Sequence, residues 1–88
     1  MRKVVLRKTV TIDANGYKGV DISTVGEVED GYTMSFLVGY ALNNTNISVY
    51  NFYLYSTEIA TISLKNNASS SQTVNIIVYG VAEKDFIY

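Results

Sequence analysis

The sequence has no cysteine, no histidine, no proline and no tryptophan. Without cysteine no disulfide can form, and without cysteine or histidine a structural zinc site would depend on carboxylates alone, which seldom build one. The missing histidine also removes the usual activator of serine and cysteine nucleophiles, which excludes triad-type catalysis. We therefore expect no catalytic residue, no metal site and no cofactor, and interpret the chain as non-enzymatic.

Charge is scarce as well. Charged residues make up 17% of the chain and the formal net charge is −1, whereas roughly 25% is usual for soluble domains. A chain without a basic excess does not attract phosphates, so we expect no nucleic-acid partner. The basic cluster of Arg2, Lys3, Arg7 and Lys8 is interpreted as a charged terminal strand that protects a sheet edge. No apolar run approaches the ~20 residues of a membrane helix, so no membrane insertion is expected.

The nearest approach to a carboxylate cluster is formed by Glu27, Glu29 and Asp30 in an irregular segment between two glycines. Such a cluster could in principle hold calcium. It lacks the regular ligand spacing of a calcium loop, so a solvated acidic turn is the favoured interpretation.

Apolar residues alternate with polar ones along most of the chain, and no window sustains the helical period of 3.6. Six strands separated by turn residues leave no room for crossover helices. We therefore predict an all-β fold: an antiparallel, jelly-roll-like β-sandwich of six or more strands, forming one domain over residues 1–88. A domain of this size buries only about 60–65% of its unfolded surface, which leaves it marginally stable by itself.

Two details of strand pairing follow from the pattern. Asn15 and Gly16 form a dipeptide that readily accepts positive φ, so residues 10–13 and 17–23 are predicted to pair as a hairpin. The clearest alternation in the chain is predicted to place one set of side chains together in the core: Met34, Phe36, Val38, Tyr40 and Leu42.

Residues 47–55 and 73–82 depart from simple alternation, because both parities of each segment are apolar. A sandwich strand needs only one apolar face, so the second face must be covered by something else. The C-terminal tail or a long loop is one possibility; another copy of the chain is the interpretation we prefer, since it also compensates for the small core. The predicted oligomer interface consists of Tyr50, Phe52, Leu54, Ile77, Tyr79 and Val81.

Tyrosine is the residue type with most binding potential, since it occurs eight times. Exposed tyrosines beside asparagines can stack on sugar rings and hydrogen-bond to their hydroxyls. The possible glycan contacts on neighbouring strands are Tyr40, Tyr53 and Tyr55. Packing in a core or interface is the favoured alternative, because these positions alternate in step with aliphatic ones.

Several segments of the chain form a recognisable series: Ala14-Asn15-Gly16-Tyr17-Lys18-Gly19-Val20-Asp21-Ile22, Gly31-Tyr32-Thr33, Val38-Gly39-Tyr40, a tyrosine-rich strand, Ile62-Ser63-Leu64-Lys65-Asn66 and Val74-Asn75-Ile76-Ile77-Val78-Tyr79. Together these segments resemble small β-sandwich domains of bacteriophage structural proteins. Domains of this family stand at the ends of tail-fibre, baseplate and head-fibre proteins. The resemblance lies in spacing and residue character, and no binding residue carries over by motif.

The resemblance implies a trimer in the virion that contacts other virion proteins and displays loops toward host-surface polysaccharide. Family members usually follow a coiled coil or shaft, which is lacking here, so either the chain is an independent small virion protein or the receptor-binding role does not carry over. We expect a non-enzymatic virion structural protein that decorates the particle or contacts the host surface. The alternative is a carbohydrate-binding module that acts as a monomer.

Overall fold

The computed structural model describes residues 1–86, which form six β-strands and no helix. The strands are β1 (Arg2–Ile12), β2 (Tyr17–Ser23), β3 (Tyr32–Leu42), β4 (Ile47–Ser56), β5 (Ile59–Asn66) and β6 (Gln72–Lys84). The C-terminal tail begins inside β6, and the amide of Asp85 still donates to the carbonyl of Gly31 at 2.7 Å. Ile87 and Tyr88 lie outside the described residues.

The strands form two three-stranded antiparallel sheets, in the orders β1–β6–β3 and β2–β5–β4. Consecutive strands pair with each other only at the β4–β5 hairpin, and every other connection in the described chain passes from one sheet to the other. The predicted all-β, antiparallel class is therefore confirmed. The two sheets share a single core, and the central strands β5 and β6 contribute half of its buried side chains.

The predicted hairpin between residues 10–13 and 17–23 is wrong. Val10 pairs with Val74 of β6, and Tyr17 pairs with Lys65 of β5, so β1 and β2 belong to different sheets. The turn itself has the expected chemistry, since Asn15 adopts a φ of 57°. It arches between the sheets because both strands bury one apolar face, and an arch lets these faces meet across the core.

Strands β3 and β4 each contain two β-bulges. The ladder with the neighbouring strand slips at Ser35 and Val38 in β3, and at Tyr50 and Tyr55 in β4. Each extra residue shifts the alternation by one position, so the side chains beyond it change face. A strand with bulges thus places apolar residues of both parities on the same side.

The predicted core set of β3 is therefore wrong in part. Met34 is buried and Leu37 packs against the core, whereas Phe36 and Val38 point outward with 46% and 65% of their surface exposed. Tyr40 and Leu42, beyond the second bulge, return to the inner side opposite buried residues of β6.

Gly80 of β6 allows this irregular strand to come close. A Cβ atom built on Gly80 would lie 2.6 Å from Cε of Met34 and 3.2 Å from the carbonyl oxygen of Phe36. A methyl group here would force Cε of Met34 to move and the carbonyl oxygen of Phe36 to shift by a few tenths of an ångström, so glycine is the residue that fits this approach without rearrangement.

Replacing Gly80 by alanine should destabilise the protein by about 1–3 kcal/mol, because β3 has to move away from β6. Chemical unfolding monitored by circular dichroism measures the change. Gly39→Ala is the matched control, since a Cβ at Gly39 has no atom within 4 Å. Equal stability of the two variants would contradict the close approach.

Asn66 closes one end of the two-sheet body. Its side chain is fully buried, and its amide nitrogen lies 3.0 Å from the carbonyl oxygen of Ile12, 3.1 Å from that of Asp13 and 2.9 Å from that of Ser70. Its amide oxygen accepts from the backbone nitrogen of Ala68 at 2.9 Å. One side chain thus satisfies the backbone of both the β1–β2 turn and the β5–β6 loop, which would otherwise be buried without partners.

Replacing Asn66 by leucine should cost about 3 kcal/mol, because the buried carbonyl of Ile12 loses its partner at about 1–3 kcal/mol and three partly buried backbone groups lose theirs at a smaller cost. For a domain of this size we expect the Tm to fall by roughly 12–24 °C. Asn67→Ala is the control, because Asn67 is exposed and its side chain donates only to Ser48 among the contacts described. A fall of similar size in the control would show that Asn66 has no special role.

Candidate interaction surfaces

The acidic segment is an ion-pairing loop. Nε of Arg2 donates to the Glu29 carboxylate at 2.7 Å, and the Arg2 guanidinium lies 5.2 Å from the ring centre of Tyr32. The hydrogen bond to Glu29 raises the pKa of Arg2, although an arginine is charged in either case. Within residues 1–86, no three acidic side chains come together in a way that could hold a metal ion.

The two strands on one side of the molecule contain no charged residue. Residues 31–57 include no aspartate, glutamate, lysine or arginine, and this segment contains all of β3 and β4. Both are edge strands, and they lie next to each other across the two sheets. Edge strands usually carry charged side chains, as β1 does on the opposite side with its four basic residues. The uncharged side is therefore the first candidate for a contact surface.

The outer face of the β1–β6–β3 sheet is mostly apolar. Phe36 pairs with Val81, and Val5 pairs with Tyr79, so their side chains share this face. We call the exposed and half-buried apolar residues of this face the outer patch: Val5, Phe36, Val38, Ile77, Tyr79 and Val81.

A hollow of about 390 Å³ lies within the outer patch beside the second bulge of β3. It forms because Val38 bulges away from β6 and leaves space above the strand. Its lining is apolar apart from one lysine stem and consists of Met1, Lys3, Val38, Tyr79, Gly80 and Val81. A hollow of this kind can receive an aromatic anchor from a partner.

The gap between β3 and β4 forms a second apolar surface, which we call the seam: Leu37, Tyr40, Leu42, Val49, Phe52 and Leu54. The rings of Tyr40 and Phe52 meet edge to face across the gap, with centroids 5.1 Å apart. Tyr40 remains 44% exposed.

At the opposite gap, between β1 and β2, Leu6 and Val20 are almost completely buried. The core is thus closed on the charged side and open to solvent on the uncharged side.

The outer face of the other sheet carries tyrosines among polar side chains. Tyr17 and Tyr50 contact each other edge to face, with ring centroids 5.4 Å apart, and Nζ of Lys65 lies 5.1 Å from the ring centre of Tyr17. Tyr53 pairs with Thr61, whose hydroxyl donates to Asp21 at 2.8 Å. We call this surface the tyrosine face.

The six predicted interface residues lie on three different surfaces. Ile77, Tyr79 and Val81 belong to the outer patch. The bulge at Tyr50 separates the other three, so Phe52 and Leu54 line the seam while Tyr50 lies on the tyrosine face. The interpretation of Tyr50, Phe52 and Leu54 as one face of β4 is therefore wrong, because unbroken alternation was assumed.

The tyrosines considered for glycan contact are also divided. Tyr40 lies in the seam against Phe52, whereas Tyr53 and Tyr55 lie on exposed parts of β4, 42% and 68% accessible.

Sequence reasoning missed three surface aromatic or aliphatic residues: Tyr17, Phe36 and Val38. Gly39 was an available signal for the last two, since an isolated glycine within a strand pattern often marks a bulge. For Tyr17 no signal existed, because its neighbour Tyr50 comes close only through the pairing of β2 and β4 with β5.

Comparisons with protein-family models, with curated proteins and with solved structures found no significant match. Residues 1–86 also include no helix capable of crossing a membrane. The functional proposal is therefore based on the described surfaces and on the resemblance in residue character noted above.

Proposed function

We propose that the chain is a non-enzymatic structural protein of a bacteriophage virion. In this proposal it is a jelly-roll-like β-sandwich that associates with itself, as a trimer, and decorates the particle or contacts the host cell surface. The observation that carries the proposal is the uncharged side of the molecule, where the outer patch and the seam expose apolar side chains on both sides of β3.

The energetics favour association. Complete burial of one large apolar side chain contributes about 1.5–3 kcal/mol, so covering the exposed half of each contributes roughly 1 kcal/mol. Of the twelve side chains in the outer patch and the seam, four are 37–65% exposed and the other eight have less surface left to cover, so they contribute less. Their summed contribution is similar to the estimated 4–15 kcal/mol cost of bringing chains together. The burial free energy can therefore offset the cost of association if both surfaces are covered, and is too small to do so reliably if only one is covered.

The virion location rests on the resemblance, and the shape of the molecule agrees with it. The body is elongated, measuring 55 × 18 × 18 Å. Its longest loop, between β2 and β3, lies at one end together with the β4–β5 turn, since Thr24 donates to the carbonyl of Glu58. A trimer of such rods would present several loops together at one end, toward other virion proteins or host polysaccharide.

Light scattering of the wild-type protein should give a mass of roughly three times the 9.8 kDa of one chain. The measurement is made at about 100 μM protein, because this concentration is well above a micromolar Kd for self-association. Val38→Lys should lower this mass to that of a monomer, because it places a charge in the outer patch. Val25→Lys is the matched control, since Val25 is similarly exposed but lies in the β2–β3 loop. A monomeric wild-type protein would contradict the proposed self-association.

Purified phage particles should contain this chain at a fixed copy number, because a structural component is incorporated in stoichiometric amounts. Quantitative mass spectrometry of particles, compared with the lysate they came from, measures this ratio. Depletion of the chain from purified particles would contradict the virion assignment while leaving self-association unaffected.

A second candidate is a carbohydrate-binding module acting as a monomer, and the tyrosine face is the observation that favours it. Exposed tyrosine rings beside Asn51 and Ser63 combine apolar stacking surface with hydrogen-bonding groups, as sugars require. This candidate would replace the first if the wild-type chain were monomeric and bound glycans. Tyr50→Ala should then abolish glycan binding, whereas Tyr79→Ala, on the other sheet, should preserve it.

A further inference from the structure

Strand β3 forms the corner at which the two apolar surfaces meet. Its bulges direct Phe36 and Val38 to the outer patch, while Leu37 and Tyr40 point into the seam. Val38 and Tyr40 are only two positions apart, yet they lie on different surfaces because the second bulge separates them. We call β3 the wedge, because it is an edge strand with exposed apolar groups on both of its faces. A separate contact is needed to remove each face from solvent.

Strand addition is not the expected way to cover these surfaces. The ladders of β3 with β6 and of β4 with β5 contain bulges, and bulges bend an edge strand in a way that disfavours a regular ladder with a further strand. On the opposite side, Lys8 occupies an inward position of β1 and its Nζ lies 3.4 Å from the carbonyl oxygen of Asp21, so that edge carries charge instead. The apolar surfaces must therefore be covered by side-chain packing, face against face.

The two surfaces differ in charge and in shape. The outer patch is bordered by Lys3 and Arg7 of β1, which share its face opposite Val81 and Ile77. Packing two outer patches together would bring these cations of both copies into one interface, where like charges oppose association. The seam adds no cation, and its exposed ring, Tyr40, is an aromatic anchor of the type the hollow of the outer patch can receive.

We propose that the outer patch of one copy packs against the seam of the next copy, so that the contact is heterologous and closes into a ring. This inference rests on the proposed self-association and specifies its geometry. A head-to-tail contact with a closing rotation gives a cyclic oligomer in which every copy is equivalent, and a trimer is the smallest such ring. The wedge at β3 then points toward the ring axis, and both of its faces are covered by neighbours.

The available area agrees with this arrangement. The whole body is 18 Å wide, and β3, at roughly 3.4 Å per residue over eleven residues, is about 37 Å long. One patch and one seam that extend over this full width and length would together remove at most roughly 1,300 Å² from solvent, which reaches the lower part of the range of about 1,200–2,000 Å² for specific interfaces. A ring buries both faces of every copy, whereas a pair joined patch to patch leaves every seam open.

A mixing experiment tests the inference. Val38→Lys should disable the outer patch and leave the seam intact, whereas Tyr40→Lys should disable the seam and leave the outer patch intact. Each variant alone should be monomeric by light scattering, because a ring needs both surfaces on every copy. An equimolar mixture should instead give a heterodimer of twice the monomer mass, since one intact patch meets one intact seam and no further contact can form.

Native mass spectrometry identifies the heterodimer by the different masses of the two variants, and circular dichroism establishes that each is folded. An amide NMR titration of labelled Val38→Lys with unlabelled Tyr40→Lys should shift signals at Phe52 and Leu54 of the seam. Shifts at Ile77 and Val81 instead, or no heterodimer at all, would overturn the inference.

The result distinguishes this inference from the broader proposal. If the wild-type chain is monomeric, both fail. If the wild-type chain is oligomeric and Tyr40→Lys alone retains that oligomer, the copies associate without the seam; self-association then stands and the heterologous geometry is wrong.

Discussion

The exposure of apolar side chains on this molecule depends on the β-bulges in β3 and β4. A regular strand in a two-sheet body presents one apolar face to the core and leaves the other to solvent. The bulges at Ser35, Val38, Tyr50 and Tyr55 break that rule, because each one moves the following side chains to the opposite face. Gly80 permits the closest part of this irregular pairing, since a larger residue there would displace Cε of Met34 and shift the carbonyl oxygen of Phe36. The open seam and the exposed outer patch both follow from these shifts.

Stability and assembly are connected in a body of this size. The shared core is made of small and medium aliphatic residues, and the inner faces of both central strands are buried. The Asn66 side chain closes one end by satisfying the backbone of two loops, so that end needs no partner. The uncharged side differs from that end, because its half-buried residues pack on the core but still expose apolar surface to solvent. Association through that side would extend the core instead of adding a separate contact.

The molecule is asymmetric in the chemistry of its faces. The β1–β6–β3 sheet exposes aliphatic and aromatic side chains, whereas the β2–β5–β4 sheet exposes tyrosines among hydroxyl, amide and charged groups. A protein that assembles through one face and contacts a polar ligand through the other would be expected to distribute its residues in this way. The two candidate functions therefore use different surfaces, and occupation of the outer patch would leave the tyrosine face accessible.

The alternation of apolar residues was enough to predict six antiparallel strands, the position of each and the absence of helices, because these depend on local periodicity and turn chemistry. Ile77, Tyr79 and Val81, which were predicted as interface residues, could be predicted to share one face for the same reason: β6 has no bulge in its pairing with β1. Phe36 and Val38 were assigned to the core, and Tyr50 was grouped with Phe52, because a bulge is produced by the pairing with a neighbouring strand. Gly39 offered a hint of one bulge but no indication of its direction.

The sequence by itself determined the strand content, the turn at Asn15, the lack of cysteine and histidine, and the uncharged segment from residue 31 to 57. Only the tertiary structure decided which strands pair, since the arch after β1 and a hairpin use the same turn residues. It also decided that β3 and β4 lie side by side as edges and that their apolar residues face two ways. These properties depend on contacts between residues distant in the chain, and no local pattern encodes them.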